Sequence, residues 1–408
     1  MSLPLDILFC SYGGGHVTAL VPVAKEMLRR GYNAHYFALT TAQSIVDAAE
    51  VPWFGYRHLE EATDPQIQTW GRELVDRGTS AANIPYAESV AYHGLNYRDL
   101  VIEHGEAGAK EQYKQWGRQC FDPKITMRNV LRNVRPRLLV STISPRSERA
   151  MFQAARDIGV SSICVADLFA RQQVQWLKQP RYATKFCVLN KDVADFFIRN
   201  GCQADAVYVT GNPAFDNINS VGTIEAARVW RRSLPAKYKT TILWASQVEP
   251  ERHPFTGALG NTSLPQAVEN SLRKLVASRD DILMVERYHP SENRAFQPAK
   301  NVRFSPREEP LHPILHAVDY VVTMTSTVAI EAHIAGKPVL SVQGSVFSDD
   351  APFEEFGIAS PVSGPGALPG ELMERIAGKS GIQCGLASRD NQSATQKIAD
   401  HIEELLTD

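Results

Sequence analysis

The 408-residue chain has no long apolar run and no excess of positive charge. Its opening apolar run, residues 3–10, contains Asp6, falls short of the roughly 20 residues that span a bilayer, and lacks the features of a secretory signal. Lys and Arg total 43 against 45 for Asp and Glu, which argues against general nucleic-acid binding. We therefore expect a cytoplasmic protein with no transmembrane segment and no nucleic-acid partner. Peripheral contact with the inner face of a membrane stays open.

Three motifs of metal and cofactor chemistry are also missing from the sequence. There is no C-x-x-C pair, so reduced thiols are expected and no zinc site is visible. There is no D-x-D, which disfavours an obligatory divalent cation, and no G-x-G-x-x-G dinucleotide fingerprint. The sequence thus predicts no bound metal and no permanent cofactor. The scattered cysteines are Cys10, Cys120, Cys164, Cys187, Cys202 and Cys384.

What the chain does contain is a repeated alternation of short apolar runs and amphipathic helical stretches. This rhythm is typical of parallel, doubly wound sheets. Helices are predicted at residues 17–30, 266–277, 326–335 and 393–406. Strands are predicted at residues 3–10, 33–39, 137–141, 161–166, 185–189, 207–210, 240–246, 281–288, 319–324 and 337–342.

The rhythm restarts after a turn-rich segment at residues 211–216, so the chain divides into two similar α/β halves. At roughly 100–200 residues per domain, two Rossmann-like domains are expected, at 1–216 and 217–392. Residues 393–408 form a last helix that could pack on either domain.

Residues 57–129 break the rhythm because they are polar and rich in Trp, Tyr and His, with helical stretches but no clear strand. We expect a helical insertion in the first domain. It is either a packed accessory layer or a substrate-facing surface, since aromatic faces with a few polar groups suit sugars.

The first candidate site is the loop Gly13-Gly14-Gly15-His16, between a strand end and a helix start. Glycines let the backbone approach a ligand closely, and an imidazole at this sheet edge can serve as a general base. The competing interpretation is a tight turn with His16 capping the helix. Asp167 follows another strand and is a second candidate base, an orienting group for His16, or a helix cap.

The strongest local signal is a buried strand that ends in Thr325, Ser326 and Thr327, with Glu331 one helical turn later. Hydroxyls and free N–H groups at a helix start suit a phosphate, and Glu331 does not fit a capping box, so it is predicted free for a diol such as ribose. The alternative is ordinary N-capping with a solvent-facing glutamate.

Further polar residues follow neighbouring strands of the second half, where parallel strands place their carboxyl ends at one edge. Arg287 and His289 can both donate to a phosphate, with Pro290 ending the strand. The neighbouring carboxylates Asp349 and Asp350 could hold sugar hydroxyls or form a solvated turn. The remaining candidates at this edge are Ser246 and Gln247.

These motifs resemble those of the two-Rossmann-domain (GT-B) nucleotide-sugar glycosyltransferases over nearly the whole chain. Residues 13–17 and 23–31 are similar to the opening of UDP-sugar transferases, and 331–338 is similar to their donor-binding E-A…G-x-P segment. His289-Pro290 and Ser326-Thr327 resemble motifs of CMP-sugar transferases and bacterial capsule-synthesis proteins.

The resemblance implies two domains facing a cleft and a metal-independent transferase of bacterial surface polysaccharide, glycolipid or glycoconjugate synthesis. A UDP- or CMP-sugar would be the donor, and a carbohydrate, lipid-linked or other hydroxyl compound the acceptor. In such enzymes the residue matching His16 lies near the acceptor hydroxyl, and the one matching Glu331 holds the ribose. A non-hydrolysing UDP-N-acetylglucosamine 2-epimerase ranks second, because residues 13–16 replace its G-T-R-P-E motif and its arginine. A non-catalytic carbohydrate-binding protein is the third hypothesis.

Overall fold

The computed structural model describes residues 5–75, 84–166, 168–253, 256–289, 291–292, 294–378 and 392–407. The chain divides into two compact units. The N-terminal unit comprises Met1–Asp216 together with Asn391–Asp408, and the C-terminal unit comprises Asn217–Asp390.

A parallel sheet of seven strands forms the centre of the N-terminal unit. The strands are β1 (Ile7–Ser11), β2 (Ala34–Ala38), β3 (Trp53–Phe54), β4 (Leu138–Ser141), β5 (Ser161–Val165), β6 (Lys185–Val188) and β7 (Val207–Val209). Their order is β3-β2-β1-β4-β5-β6-β7, so β1 lies between β2 and β4. The loops that follow β1 and β4 therefore meet at one edge of the sheet.

In the described residues, the α-helices of this unit that lie before the C-terminal unit in sequence are α1 (Gly15–Arg29), α2 (Gln43–Ala48), α3 (Pro65–Val75), α4 (Tyr86–Trp116), α5 (Lys124–Val134), α6 (Ser147–Ile158), α7 (Val174–Leu177) and α8 (Lys191–Arg199). Helices α3 and α4 and the start of α5 occupy the segment predicted as a helical insertion. Trp70, Tyr97 and Tyr113 from α3 and α4 line a cavity of about 490 Å³ there.

The C-terminal unit is built on a second parallel sheet, of six strands. These are β8 (Thr240–Ala245), β9 (Ile282–Arg287), β10 (Val302–Phe304), β11 (Tyr320–Thr323), β12 (Val339–Val342) and β13 (Ser360–Val362). The order is β10-β9-β8-β11-β12-β13, so the ends of β9, β8, β11 and β12 follow one another along one edge. Its helices are α9 (Val221–Arg232), α10 (Leu264–Ala277), α11 (Leu311–Ala317), α12 (Val328–Ile334) and α13 (Leu368–Gly378).

The last helix, α14 (Ala394–Thr407), packs on the N-terminal unit. Its apolar face, with Ile398, Ala399, Ile402 and Leu406, is buried in the core formed by α1 and the first sheet. Polar contacts support the packing: Arg30 Nη1 donates to Asp400 Oδ1 at 2.7 Å and to Glu403 Oε2 at 2.6 Å. No helix in the described part of the chain is both long and apolar enough to cross a bilayer.

We expect Arg30→Ala to loosen α14, because Arg30 bonds both to Glu26 on α1 and to two carboxylates on α14. A partly buried pair of this kind contributes about 1 kcal/mol, which corresponds to roughly fivefold faster hydrogen exchange of the 394–407 peptide. Arg29→Ala is the matched control, since Arg29 is more exposed and its bonds are to Glu26. Equal acceleration in the two variants would contradict the assignment.

Candidate functional site

The glycine loop after β1 is a tight turn that two of its three glycines make possible. Gly14 has φ +70° and ψ −140°, a conformation that a side chain would strain. A Cβ at Gly13 would lie 2.2 Å from Thr41 Oγ1, so the space beside Gly13 is filled by the protein itself. Gly15 is the first residue of α1 and His16 the second. The loop therefore places His16 at the sheet edge.

His16 belongs to a chain of hydrogen bonds that ends at a buried carboxylate. His16 Nδ1 lies 2.8 Å from Thr142 Oγ1, which in turn bonds to Glu148 Oε2. Glu148 is fully buried, and it also accepts hydrogen bonds from the backbone N–H groups of Tyr12 at 2.8 Å and Ser144 at 2.9 Å. Two backbone donors and a hydroxyl thus hold the carboxylate in place.

This chain fixes the tautomer of His16. The Glu148 oxygens act as acceptors, so the single hydroxyl proton of Thr142 points to Glu148. Thr142 Oγ1 must then accept from His16 Nδ1–H. In the neutral ring Nε2 is therefore the nitrogen without a proton, the form that a general base requires.

Two tyrosines and a serine complete the polar cluster beside this chain. The hydroxyls of Tyr12 and Tyr56 each lie 2.7 Å from Ser147 Oγ. Burial raises the pKa of both tyrosines well above the usual value, so their hydroxyls stay protonated near neutral pH. The cluster is rigid and uncharged.

Sequence reasoning did not identify Thr142, Ser147 or Glu148. A usable signal existed, because Thr142 directly follows β4 and Glu148 lies in the first turn of α6. Asp167, the other predicted base, lies outside the described residues, so its part in the site stays a prediction.

In the C-terminal unit, Gln247 ties together the loops that follow three strands. Its Oε1 accepts from Thr325 N at 2.7 Å, and its Nε2 lies 3.0 Å from Thr325 Oγ1 and 3.5 Å from Ser345 Oγ. Ser345 Oγ also donates to the buried Glu249 at 2.7 Å. Gln247 and Thr325 thus bond to each other and hold this edge together, while their contact with a ligand stays a prediction.

His289 has the opposite tautomer to His16. The Ser291 N–H donates to His289 Nδ1 at 3.1 Å, so this nitrogen is an acceptor and carries no proton in the neutral ring. Its proton is then on Nε2, which becomes a donor. The His289 N–H bonds to Glu292 Oε2 at 2.7 Å and holds the turn after β9. His289 thus presents the donor that a phosphate oxygen needs.

Arg287 makes several hydrogen bonds within the protein. Its Nη1 donates to Ser305 Oγ at 2.9 Å and to the carbonyls of Pro306 at 3.2 Å and Glu309 at 2.7 Å, and its Nη2 donates to the carbonyl of Arg307 at 3.2 Å. Burial lowers its pKa. These bonds hold the guanidinium against the loop after β10, and its contact with a phosphate stays a prediction.

Ser246 has a buried hydroxyl at this edge. It follows β8 and is only 3% exposed, and its N–H donates to Arg287 O at 2.9 Å. Its hydroxyl has no hydrogen-bond partner among the described residues. Buried hydroxyls are nearly always bonded, so Ser246 is a candidate to bond a ligand group.

Ser326, Thr327 and Glu331 lie where the sequence placed them, but two expectations need correction. Helix α12 has only seven residues, so its dipole is small, and Ser326 Oγ accepts from Val328 N at a long 3.3 Å. Glu331 is not free, because His312 Nε2 lies 3.0 Å from its Oε2. Oε1 remains as a further acceptor on this carboxylate. Thr327 is exposed at the helix start and makes no side-chain cap bond.

The two predicted loop carboxylates differ from each other. Asp350 Oδ2 lies 2.8 Å from Nε2 of the buried His253, whereas Asp349 is exposed. Thr256 N donates to His253 Nδ1 at 3.1 Å, so both ring nitrogens of His253 are used within the protein. Asp350 is therefore a support of this loop, and Asp349 stays a candidate.

The described residues contain neither a metal-binding cluster nor a disulfide. No group of three His, Cys, Asp or Glu side chains suited to a metal ion occurs within the described ranges. The cysteines within those ranges are free thiols, four of them buried and Cys120 half-buried. Cys384 lies outside the described residues.

No family model matches the chain, and no curated protein sequence matches it either. Solved structures do match along almost the full length. S. aureus MnaA, in a co-structure with UDP, is 13% identical with a TM-score of 0.59, covering 99% of this chain and 97% of that one. The Neisseria meningitidis UDP-GlcNAc 2-epimerase bound to UDP-GlcNAc is 12% identical with a TM-score of 0.58, covering 99% of this chain and 100% of that one. Acinetobacter baumannii MurG is 12% identical with a TM-score of 0.58, covering 98% of this chain and 100% of that one.

The likeness confirms the fold class expected from the sequence, two Rossmann-like α/β units with parallel sheets. The chain has the GT-B fold.

Proposed function

We propose that the protein is a glycosyltransferase that moves a sugar from a pyrimidine nucleotide-sugar to an acceptor hydroxyl. The C-terminal unit binds the donor through Ser246, His289, Ser326 and Glu331. The N-terminal unit binds the acceptor, with His16 as the base.

The observation that carries this proposal is the tautomer of His16. Transfer with inversion requires that a base take the proton of the acceptor hydroxyl as its oxygen attacks the anomeric carbon. The Thr142–Glu148 chain keeps the proton of His16 on Nδ1, so Nε2 is the basic nitrogen of the neutral ring.

The donor side has complementary chemistry. As the bond between the anomeric carbon and the phosphate oxygen breaks, negative charge grows on the leaving phosphate, and preorganised donors stabilise it. His289 Nε2–H and the hydroxyls of Ser246 and Ser326 are donors of this type. The Glu331 carboxylate suits a ribose diol, and His312 fixes its position. The fold's likeness to structures determined with UDP and with UDP-GlcNAc supports a nucleotide-sugar in this role.

A nucleotide panel tests the donor site. We expect UDP or CMP, but not the purine nucleotides AMP and GMP, to raise the melting temperature. A ligand at one hundred times its Kd stabilises the folded state by about 2.7 kcal/mol. Absence of any pyrimidine preference would overturn the proposal and would favour a protein that binds carbohydrate without using a nucleotide.

The second candidate is a UDP-N-acetylglucosamine 2-epimerase, favoured by the fold's likeness to the N. meningitidis epimerase. Incubation with UDP-N-acetylglucosamine in deuterated water separates the two activities. Deuterium at the second carbon of the sugar, with no acceptor present, would establish the epimerase. The transferase instead releases UDP or CMP only when an acceptor is added.

A further inference from the structure

Arg146, the residue just before α6, is half-buried, and its guanidinium has no carboxylate partner in the described part of the chain. Burial hides its Nε, which has no hydrogen-bond partner among the described residues. No carboxylate in the described ranges lies within ion-pair distance of it. Glu148, two residues later, has its oxygens on Tyr12 N, Ser144 N and the Thr142 hydroxyl. A partly buried guanidinium with no carboxylate beside it is poorly compensated, so an anionic ligand would bind there favourably.

The surroundings of Arg146 are aromatic and neutral. Its guanidinium carbon lies 5.4 Å from the centre of the Tyr12 ring, and the charge also interacts with Tyr56 and Tyr92. Tyr12 and Tyr56 keep their protons because burial raises their pKa values. The ring of Tyr12 orients the guanidinium but supplies no full negative charge.

The backbone of Arg146 is also strained. Its φ of +68° with ψ of −114° is a conformation that glycine adopts readily and other residues rarely do. Such strain persists where the surrounding structure holds it, and it is common at binding sites. Glycine would fit this backbone without strain. The backbone conformation therefore gives no reason for arginine at this position, and the reason must lie in its side chain.

Arg146 is connected to the predicted base, His16, by a series of contacting residues. Tyr12, which contacts the guanidinium, also donates its N–H to Glu148, and Glu148 holds His16 through Thr142. A ligand that reached Arg146 would therefore be next to the residues that fix His16.

We propose that Arg146 binds an anionic group, a carboxylate or a phosphate, on the molecule that the N-terminal unit holds. A planar guanidinium suits both anions, since it can donate two parallel hydrogen bonds. That this molecule is the sugar acceptor rests on the proposed function. The acceptor is then an acidic or phosphorylated sugar compound rather than a neutral glycan.

The test uses glucuronic acid, glucose 6-phosphate and neutral glucose with the full chain. The buried Nε–H of Arg146 gives an NMR resonance that is identified by its loss in R146Q. We expect this resonance to shift saturably with at least one of the two acids and not with glucose. The acid that binds more tightly identifies the anion as carboxylate or phosphate. An unchanged resonance with both acids would overturn the proposal.

Variants separate binding from structural support. R146Q should weaken binding of the acid about tenfold or more, the usual effect of losing a charge-assisted hydrogen bond. R149Q is the matched control: Arg149 lies on the same helix, stacks on Trp176 at 5.7 Å and is paired with Asp122 at 3.3 Å. Equal weakening by R149Q would contradict the assignment.

A stability measurement tests whether Arg146 has only a structural role. Arg146→Gly relieves the backbone strain, so this variant should melt no lower than the parent while it loses the acid. A marked drop in the melting temperature of both R146G and R146Q would show that Arg146 supports the fold instead. A pyrimidine nucleotide should still raise the melting temperature of R146Q. The experiment therefore distinguishes a wrong donor-site proposal from a wrong anion-site proposal.

Discussion

Replacing His16 by alanine is expected to lower kcat of sugar transfer by about 10²- to 10⁴-fold, the usual range for loss of a general base. The KM for the nucleotide-sugar should change little, because His16 lies in the other unit from the proposed donor site. Neither His16→Gln nor His16→Asn should restore the rate, since an amide cannot take up the proton. Steady-state kinetics with a saturating acceptor provide the measurement.

Two further variants test whether the chain behind His16 matters. Thr142→Val keeps the shape of residue 142 but removes the acceptor of His16 Nδ1–H. We expect a smaller loss, of about tenfold, with a changed pH profile, because the tautomer is no longer fixed. His104→Ala, at a half-exposed position on α4, is the control. Activity of the His16 variants close to that of the parent would leave Asp167 as the base.

Replacing His289 by alanine should cost on the order of 10²-fold in kcat, because one donor to the leaving phosphate disappears at the point where its charge grows. The tautomer assignment makes this prediction specific. The side-chain amide of glutamine can place an N–H near the position of Nε2, whereas that of asparagine lies near Nδ1. His289→Gln should therefore recover part of the rate, and His289→Asn should not.

The pattern of rescue distinguishes the two histidines. His289 acts as a hydrogen-bond donor, so an amide can replace it in part, while His16 acts as a base and no amide can. Rescue by asparagine rather than glutamine would show that Nδ1 faces the ligand and that the bond from Ser291 breaks on binding. Equal rates for all His289 variants and the parent would remove it from the donor site.

The sequence predicted the central strands well because these strands are buried on both faces, and it predicted helices α1, α10, α12 and α14. The predicted strand at 240–246 corresponds to β8, and the predicted helix at 17–30 corresponds to α1. The edge strands β3, β10 and β13 escaped prediction. They have only two or three residues each and are largely half-buried, so they carry no apolar run to recognise.

The same physics limits what the sequence says about the site. A polar residue after a strand can be placed at the sheet edge, and this logic correctly placed His16, His289 and Ser326 beyond the ends of β1, β9 and β11. Partners cannot be found in this way, because His16 and Thr142 are 126 residues apart in sequence and meet only through the β1–β4 pairing. The same limit applies to Arg287, whose hydrogen bonds to the loop after β10 could not be predicted from its position after a strand.

Helix α14 has a consequence for how the polypeptide matures during translation. Because its apolar face closes the core around α1, the N-terminal unit stays incomplete until residues 394–407 emerge from the ribosome. The whole C-terminal unit is synthesised before then. A nascent chain thus exposes the uncovered side of α1 throughout most of its elongation, and chaperone capture would be directed to that surface.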